Sequence, residues 1–271
     1  MIDIVVNLDV YTALYFSNGL DAPYTLRNEI KIYIKPILVK DYPLYLSSID
    51  VLQLRKNDIN DIKIIQMSYL EYLVDVVFAQ DPNQEYEAKF RYIIEKCLGE
   101  KYIGFVTNDK GKKVIAVCDE FRKIKYIITS TELEDIITII LNQNDATYDN
   151  RYISPDVREA MEDYHRIKYA DINPPSLEKR KAFVCSKLSK TFSDLSEMNV
   201  REFELIYKAC IDSEIYIATK VTEASYKYEV KNPTQHPLYR REEDPYAEIF
   251  TDTSALNNKG LKGAENIGIG L

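Results

Sequence analysis

Few residues of this chain have the types and spacing that metal or acid–base chemistry requires. Glu162 and His165 stand three residues apart in a predicted helix, which is the spacing of half of a carboxylate di-iron site. A complete site of that kind uses the motif twice, but the chain has only two histidines, and the second is His236 between Gln235 and Pro237. We therefore interpret His165 as a surface residue and predict no metal site.

The remaining candidates for nucleophiles and phosphate-binding loops lead to the same expectation. The chain has four cysteines, and no two of them form a C-x-x-C pair: Cys97, Cys118, Cys185 and Cys210. Free, buried thiols are expected rather than a zinc site or a disulfide framework. With two histidines a Ser-His-Asp or Cys-His triad has few candidate members, and the sequence contains neither G-x-x-x-x-G-K-[ST] nor G-x-G-x-x-G. We expect no enzyme and no cofactor, and an enzyme with a cryptic site is the alternative.

Composition and charge restrict the kinds of partner. The 271 residues are 46% hydrophobic and 29% charged, as in soluble globular proteins. The net charge of −8 and the lack of a dense basic block disfavour a general nucleic-acid-binding protein. Six basic residues between 110 and 125 are interpreted as a solvated hairpin surface: Lys110, Lys112, Lys113, Arg122, Lys123 and Lys125. The sequence has no apolar run of about 18 residues and no basic secretory leader, so we expect a cytoplasmic protein without a membrane span.

The strongest structural signal is one long helix, predicted from Asn199 to Val230. Asn199 can cap the helix, Glu202 completes a capping box, and no Gly or Pro follows before Pro233. Apolar residues recur at helical spacing along one face: Phe203, Ile206, Cys210, Ile217, Val221 and Ala224. Leu205, Ala209 and Ile215 widen this face. We expect Phe203, Cys210 and Ile217 to be mostly buried, either within the chain or against a partner.

Patterns before residue 146 predict an α+β domain over residues 1–145, with a small antiparallel sheet. The predicted strands are an edge strand near the N-terminus, a strand over Glu29–Val39, a hairpin of Tyr102–Thr107 with Lys113–Cys118, and a further strand over Lys123–Thr129. Helices are predicted over Asp41–Leu52, Ile62–Ala79 and Tyr86–Leu98. A last helix is capped by Thr131 and Glu134 and ends near Asn142. The hairpin rests on the turn Asn108-Asp109-Lys110-Gly111.

The rest of the chain is predicted to be a helical domain over residues 146–230 and an extended tail over residues 231–271. Two helices are expected before the long one, from Ser154-Pro155 to about Tyr169 and from about Leu177 to Leu188. The tail has few apolar residues, while ordering it costs about 1–2 kcal/mol per residue. We therefore expect it to be mobile in the free monomer or to lie along an existing surface. Its predicted anchors on a partner are Tyr239, Tyr246, Ile249 and Phe250.

Two stretches resemble proteins of tailed bacteriophages. The first stretch is similar to the opening of tail-assembly and baseplate-assembly proteins. It consists of Ile32-Tyr33-Ile34-Lys35-Pro36 leading to Asp41-Tyr42-Pro43, with Met67-Ser68-Tyr69-Leu70 further on. Met198-Asn199-Val200-Arg201-Glu202-Phe203-Glu204-Leu205 resembles the start of the helix near the end of such proteins. The resemblance covers about a third of the chain. It implies a non-enzymatic morphogenesis protein that chaperones the tape-measure protein or helps to assemble the baseplate hub.

The resemblance also implies the partners and the location. The partners are other phage tail or baseplate proteins, with the tape-measure protein as one candidate, and self-association is compatible with the same role. The expected location is the host cytoplasm, with the virion as a second one. Two alternatives stay open: a structural component retained in the tail or baseplate of the virion, and a cellular binding module or an enzyme with a cryptic site. The partner-binding residues expected on the long helix are Phe203, Ile206, Cys210 and Ile217.

Overall fold

A computed structural model describes residues 6–148, 155–168, 174–225 and 233–239. Within them the chain has an α+β fold with small antiparallel sheets and one long helix, as predicted. Its internal contacts define two compact units. The first consists of Met1–Ser154 with Pro174–Ile211, and the second of Pro155–Asn173 with Asp212–Leu271. The linear division at residues 145 and 230 stays a prediction, and these units cut the chain at other places.

The first unit begins with helix α1 (Leu8–Leu14), where the sequence favours an edge strand. That expectation is wrong for these residues because the side chain of Asn7 caps the helix, accepting a hydrogen bond of 3.2 Å from the amide of Val10. Strand β1 (Ala22–Thr25) follows and pairs antiparallel with β2 (Lys31–Ile34). The predicted strand over Glu29–Val39 is therefore confirmed in its first half only.

Two predicted helices are interrupted. Helix α2 (Tyr42–Leu46) has Pro43 in its first turn, as predicted, but it ends at Leu46 and a separate 3₁₀ turn covers Ile49–Gln53. The predicted helix Ile62–Ala79 breaks after α3 (Ile62–Gln66), because Ser68 starts a new helix by forming a capping box with Glu71. This second helix, α4 (Tyr69–Glu71), continues as π-helical turns over Tyr72–Phe78.

The next elements follow the predicted pattern closely. Helix α5 (Glu85–Leu98) ends at Gly99, which has a φ of 68° as a left-handed cap requires. Strands β3 (Tyr102–Thr107), β4 (Lys113–Cys118) and β5 (Ile124–Ile128) form an antiparallel sheet in that order. Helix α6 (Ser130–Asn144) begins before the predicted Thr131, because Thr129 and Glu132 form the capping box in place of Thr131 and Glu134.

The main core of the first unit lies between α5, α6 and the inner face of the second sheet. Its fully buried side chains include Phe90, Ile93, Ile94, Ile115, Ile128, Leu133 and Ile136. Two buried side-chain amides at the end of α6 bind the sheet of β1 and β2 to this core. The side chain of Gln143 donates to the carbonyl of Ile34 at 3.1 Å, and that of Asn144 accepts from the amide of Ile37 at 2.7 Å.

The first unit also contains α8 (Leu177–Leu188), α9 (Phe192–Ser196) and the first part of the long helix α10 (Val200–Ser225). The stretch just before α10 pairs with the chain that leaves β2. The amide of Val39 donates to the carbonyl of Met198 at 2.9 Å, and the amide of Val200 donates to the carbonyl of Ile37 at 2.8 Å. This pairing joins residues that lie about 160 positions apart in the sequence.

The second unit contains α7 (Pro155–Lys168), the part of α10 from Asp212 onward and a 3₁₀ turn over Pro237–Tyr239. Residues 233–239, called the returning chain, lie against this helix. The amide of Thr234 donates to the carboxylate of Glu223 at 2.7 Å, and the rings of Tyr216 and His236 lie 4.9 Å apart. Among the described helices, none is both long and apolar enough to span a membrane.

Candidate functional site

The residues predicted on the long helix have two different environments. Phe203 is completely buried, as expected, in a small cluster with Val39, Val184 and Leu195. Ile206 and Cys210 are half-buried. Ile217, on the same side of the helix, is 53% exposed. Burial of the predicted face within the chain therefore fades along α10, and its outer end has no cover among the described residues.

A cluster of aromatic rings around Arg180 holds the start of α10. The guanidinium of Arg180 lies 5.4 Å from the ring centroid of Tyr42, 5.9 Å from that of Phe203 and 5.6 Å from that of Tyr207. The same guanidinium forms an ion pair with Glu204. Burial raises the pKa of Tyr42 to about 12, and its hydrogen bond with Glu204 adds to this shift. These contacts fix the helix start and leave Phe203 unavailable to a partner.

The second part of α10 presents exposed apolar side chains. Ile215 is 57% exposed and Val221 is 67% exposed, in addition to Ile217. With 3.6 residues per turn, Ile217 and Val221 share one side of the helix, while Ile215 lies about 200° round from Ile217. A third side is formed by Tyr216, Lys220 and Glu223. Tyr216 and Glu223 contact the returning chain, and Lys220 forms an ion pair with Glu223. The exposed apolar surface of α10 is thus the part that faces away from residues 233–239.

The returning chain is fastened by a carboxylate whose pKa is strongly shifted. Lys220 and Glu223 form an ion pair of 2.7 Å, and Thr234 donates to the same carboxylate. These hydrogen bonds, first the one from Lys220 and then those from Thr234, lower the pKa of Glu223 to about 2. The segment 233–239 is therefore held to α10 by a carboxylate that is charged at neutral pH.

The predicted anchors of the tail lie at or beyond the end of the described chain. Tyr239 is exposed, as is its neighbour Leu238. The ring of Tyr239 lies 6.1 Å from that of His236, so its position is tied to the returning chain. Tyr246, Ile249 and Phe250 lie outside the described residues, and their role as anchors stays a prediction.

The residues considered for chemistry do not assemble into a catalytic or metal-binding group in the described part of the chain. Glu162 is exposed on α7, and the side chain of His165 lies outside what the structure describes. Among the described residues, no group of three or more His, Cys, Asp or Glu side chains could hold a metal ion. Cys97 is completely buried, and burial raises the pKa of its thiol to about 12. The other three cysteines are half-buried free thiols.

A cleft in the first unit was not predicted by any sequence motif. It has a volume of about 370 Å³ and is lined by residues from four separate parts of the chain: Leu52, Gln53, Leu54, Arg55, Lys56, Asn57, Tyr69, Glu134, Ile137, Thr138, Leu141 and Tyr148. Partial loss of solvent raises the pKa of Glu134, an exposed residue at its rim. The hydroxyl of Tyr69 is closed off from solvent. Lys56 also lines the cleft, and its positive charge opposes the upward shift of the Glu134 pKa.

Comparisons with protein-family models, with curated proteins and with solved structures found no match to this chain.

Proposed function

We propose that the protein is a non-enzymatic assembly factor of a phage tail or baseplate, and that it works through protein contacts. The exposed apolar surface of α10 carries this proposal. Single exposed apolar residues are ordinary, but Ile217 and Val221 are exposed neighbours on one side of the helix. Burying one such side chain completely contributes about 1.5–3 kcal/mol, so a partner that covers both of them gains a few kcal/mol. An apolar helix surface of this kind fits a groove or a helical bundle in a partner protein.

The place of the phage-like stretches in the fold also supports the proposal. The stretch Ile32–Pro36 runs into Ile37–Val39, and the stretch Met198–Leu205 forms the start of α10. The two are joined by the hydrogen bonds between Val39 and Met198 and between Ile37 and Val200. Segments that are distant in the sequence therefore form one structural module, which holds the first part of α10.

The proposed partners are other tail or baseplate proteins, with the tape-measure protein as the first candidate to test. The proposed place of action is the host cytoplasm during particle assembly. If the protein stays in the particle, it is a structural component of the tail or baseplate instead. Mass spectrometry of purified particles separates these two roles, because a retained component is present at fixed stoichiometry and an assembly factor is not.

The contact is tested with a double variant, Ile217→Asp with Val221→Asp. The full chain is co-expressed with candidate tape-measure and baseplate proteins, and complexes are measured by size-exclusion chromatography with light scattering. We expect the double variant to fold but to lose the complex, because two charges enter an apolar contact. Ile167→Asp is the matched control, since Ile167 is exposed on α7, and it should keep the complex. A complex formed equally well by the double variant would contradict the proposal.

A further inference from the structure

The second sheet, formed by β3, β4 and β5, is apolar on both of its faces. Antiparallel sheets at a protein surface usually alternate apolar residues toward the core with polar residues toward solvent. The inner face follows this rule, since Ile103, Ile115, Val117, Tyr126 and Ile128 belong to the main core. The outer face does not follow it, because its side chains are apolar as well.

The outward side chains follow from strand alternation and from the register of the sheet. On this face β3 pairs with β4 through Tyr102 with Cys118, Gly104 with Ala116, and Val106 with Val114. Ala116 of β4 also pairs with Ile127 of β5. Tyr102, Val106 and Ile127 are exposed, as is Ile124, which pairs with Cys118 after a bulge. Val114 and Ala116 are buried but lie outside the main core. These residues form the outer sheet face.

Gly104 leaves open space at the middle of edge strand β3 on the outer sheet face. Apart from its two chain neighbours, a Cβ atom at this position would meet no atom within 4 Å. A side chain from another molecule can therefore approach the backbone of β3 here, between Tyr102 and Val106. Together with Ile124 and Ile127 on the opposite edge strand, these exposed apolar residues form a patch that is expected to be covered.

The stretch that forms the second sheet is basic, although the chain as a whole is acidic, and its Lys and Arg residues are called the basic surround. Residues 101–128 contain seven Lys or Arg and three Asp or Glu, which gives a local charge of +4 against −8 for the whole chain. Lys113 pairs with Asp75, and Lys125 pairs with Glu100. The other five have no ion pair among the described residues: Lys101, Lys110, Lys112, Arg122 and Lys123.

This charge selects the kind of molecule that covers the face. If two copies stacked the same face against each other, they would bring two basic surrounds together, and like charges disfavour that contact. An apolar segment flanked by acidic residues fits better. The chain contains such a segment at residues 242–252, which has five Asp or Glu, no Lys or Arg, and the apolar residues Tyr246, Ile249 and Phe250.

We propose that residues 242–252 of a second copy of this chain cover the outer sheet face. Tyr246, Ile249 and Phe250 contact the apolar residues, and the acidic residues lie against the basic surround. The choice of a second copy as the source of the segment rests on the proposed function, in which contacts between proteins are the activity. A face and a segment at different places on one chain give a head-to-tail contact, which closes into a ring or continues as a filament.

The proposal is tested on the purified full-length protein by carbodiimide cross-linking. This reagent joins a lysine amine directly to a carboxylate, so it reports ion pairs between the surround and the segment. Isotope-labelled and unlabelled copies are mixed before the reaction. We expect cross-links between Lys101, Lys112 or Lys123 and the carboxylates of residues 242–252, with one labelled and one unlabelled peptide in many of them. Links only within one isotope form, or no such links, would overturn the proposal.

Three variants and a matched control test the apolar part of the contact. Gly104→Val fills the open space with a residue that suits a strand, and Ile127→Lys places a charge on the outer sheet face. Phe250→Asp changes the segment. Each variant is expected to abolish the mixed cross-links and any self-association, which is measured by sedimentation. The circular dichroism spectrum should stay unchanged. Ile62→Lys, at an exposed position on α3, should retain both. Retention of both by the first three variants would refute the contact.

The outcome is separable from that of the proposed function. The cross-linking uses this chain alone, whereas the proposed function is tested by complexes with tail or baseplate proteins through α10. Absence of mixed cross-links in the unmodified protein, with the complexes intact, would refute the outer-face contact only.

Discussion

Phe203 and Ile217 offer a direct test of how far the core extends along the long helix. They stand 14 positions apart in α10, which corresponds to about 21 Å along the axis and to nearly the same side of the helix. The sequence pattern treats them as equivalent members of one apolar face. The structure buries Phe203 completely and leaves Ile217 53% exposed.

The expected losses of stability differ by several kcal/mol. Phe203→Ala removes a ring that packs with Val39, Val184 and Leu195, and truncating a buried Phe costs about 3–5 kcal/mol. The ring also stacks on Tyr207, with the centroids 6.4 Å apart, and the loss of this contact is part of the same range. Ile217→Ala removes a half-exposed side chain and improves helix propensity, so we expect a change within about 0.5 kcal/mol.

The assay is urea unfolding of each full-length variant at one protein concentration, followed by circular dichroism and by tyrosine fluorescence. Fluorescence is a clean second probe because the chain has 22 Tyr and no Trp. We expect a lower midpoint for Phe203→Ala and an unchanged midpoint for Ile217→Ala. An equal loss for both variants would show that the outer half of α10 is buried in the free chain, and a loss below about 1 kcal/mol for Phe203→Ala would refute the packing argument.

Three further predictions concern single groups. Cys97, whose thiol is buried and has a pKa raised to about 12, should stay unmodified by a thiol reagent in the native protein while the other three cysteines react; early modification would contradict its burial. Lys220 and Thr234 lower the pKa of Glu223 to about 2 from 4.5, so their contact is fully present above pH 4.5 and is lost as the pH falls toward 2. The amide resonance of Thr234 should follow that titration and be insensitive to it in Glu223→Gln. Thr129→Ala should lower stability by about 0.5–2 kcal/mol through loss of the α6 cap, whereas Thr129→Ser, which keeps the hydroxyl, should not.

The parts of the fold that were predicted well depend on short-range signals. The bounds of β3 and β4 match the prediction because a turn at Asn108–Gly111 separates two alternating runs, and each of these signals lies within a few residues. The start of α10 was predicted for the same reason, since the amide of Glu202 donates to the side chain of Asn199 at 2.7 Å. Helix α8 likewise begins at its own cap, Ser176.

The start of α6 was predicted wrongly because two local signals compete there and the tertiary structure selects one. Thr129 with Glu132 and Thr131 with Glu134 both have the spacing of a capping box, and only the first is used. Glu132 is the buried member, and it accepts a hydrogen bond of 2.7 Å from the amide of Arg27, which lies far away in the sequence. No pattern around residue 130 contains that partner.

The sequence by itself determined where most helices and strands lie, because caps, turns and periodicity act over a few residues. It also determined that α10 has an apolar face, since that face follows from residue types alone. The tertiary structure decided which part of the face is covered. Phe203 is buried because Val39, Val184 and Leu195 meet there from three other segments, whereas Ile217 has no such neighbours among the described residues. Burial depends on what packs against a residue, and the neighbours of Phe203 come from positions as far as 164 residues away in the sequence.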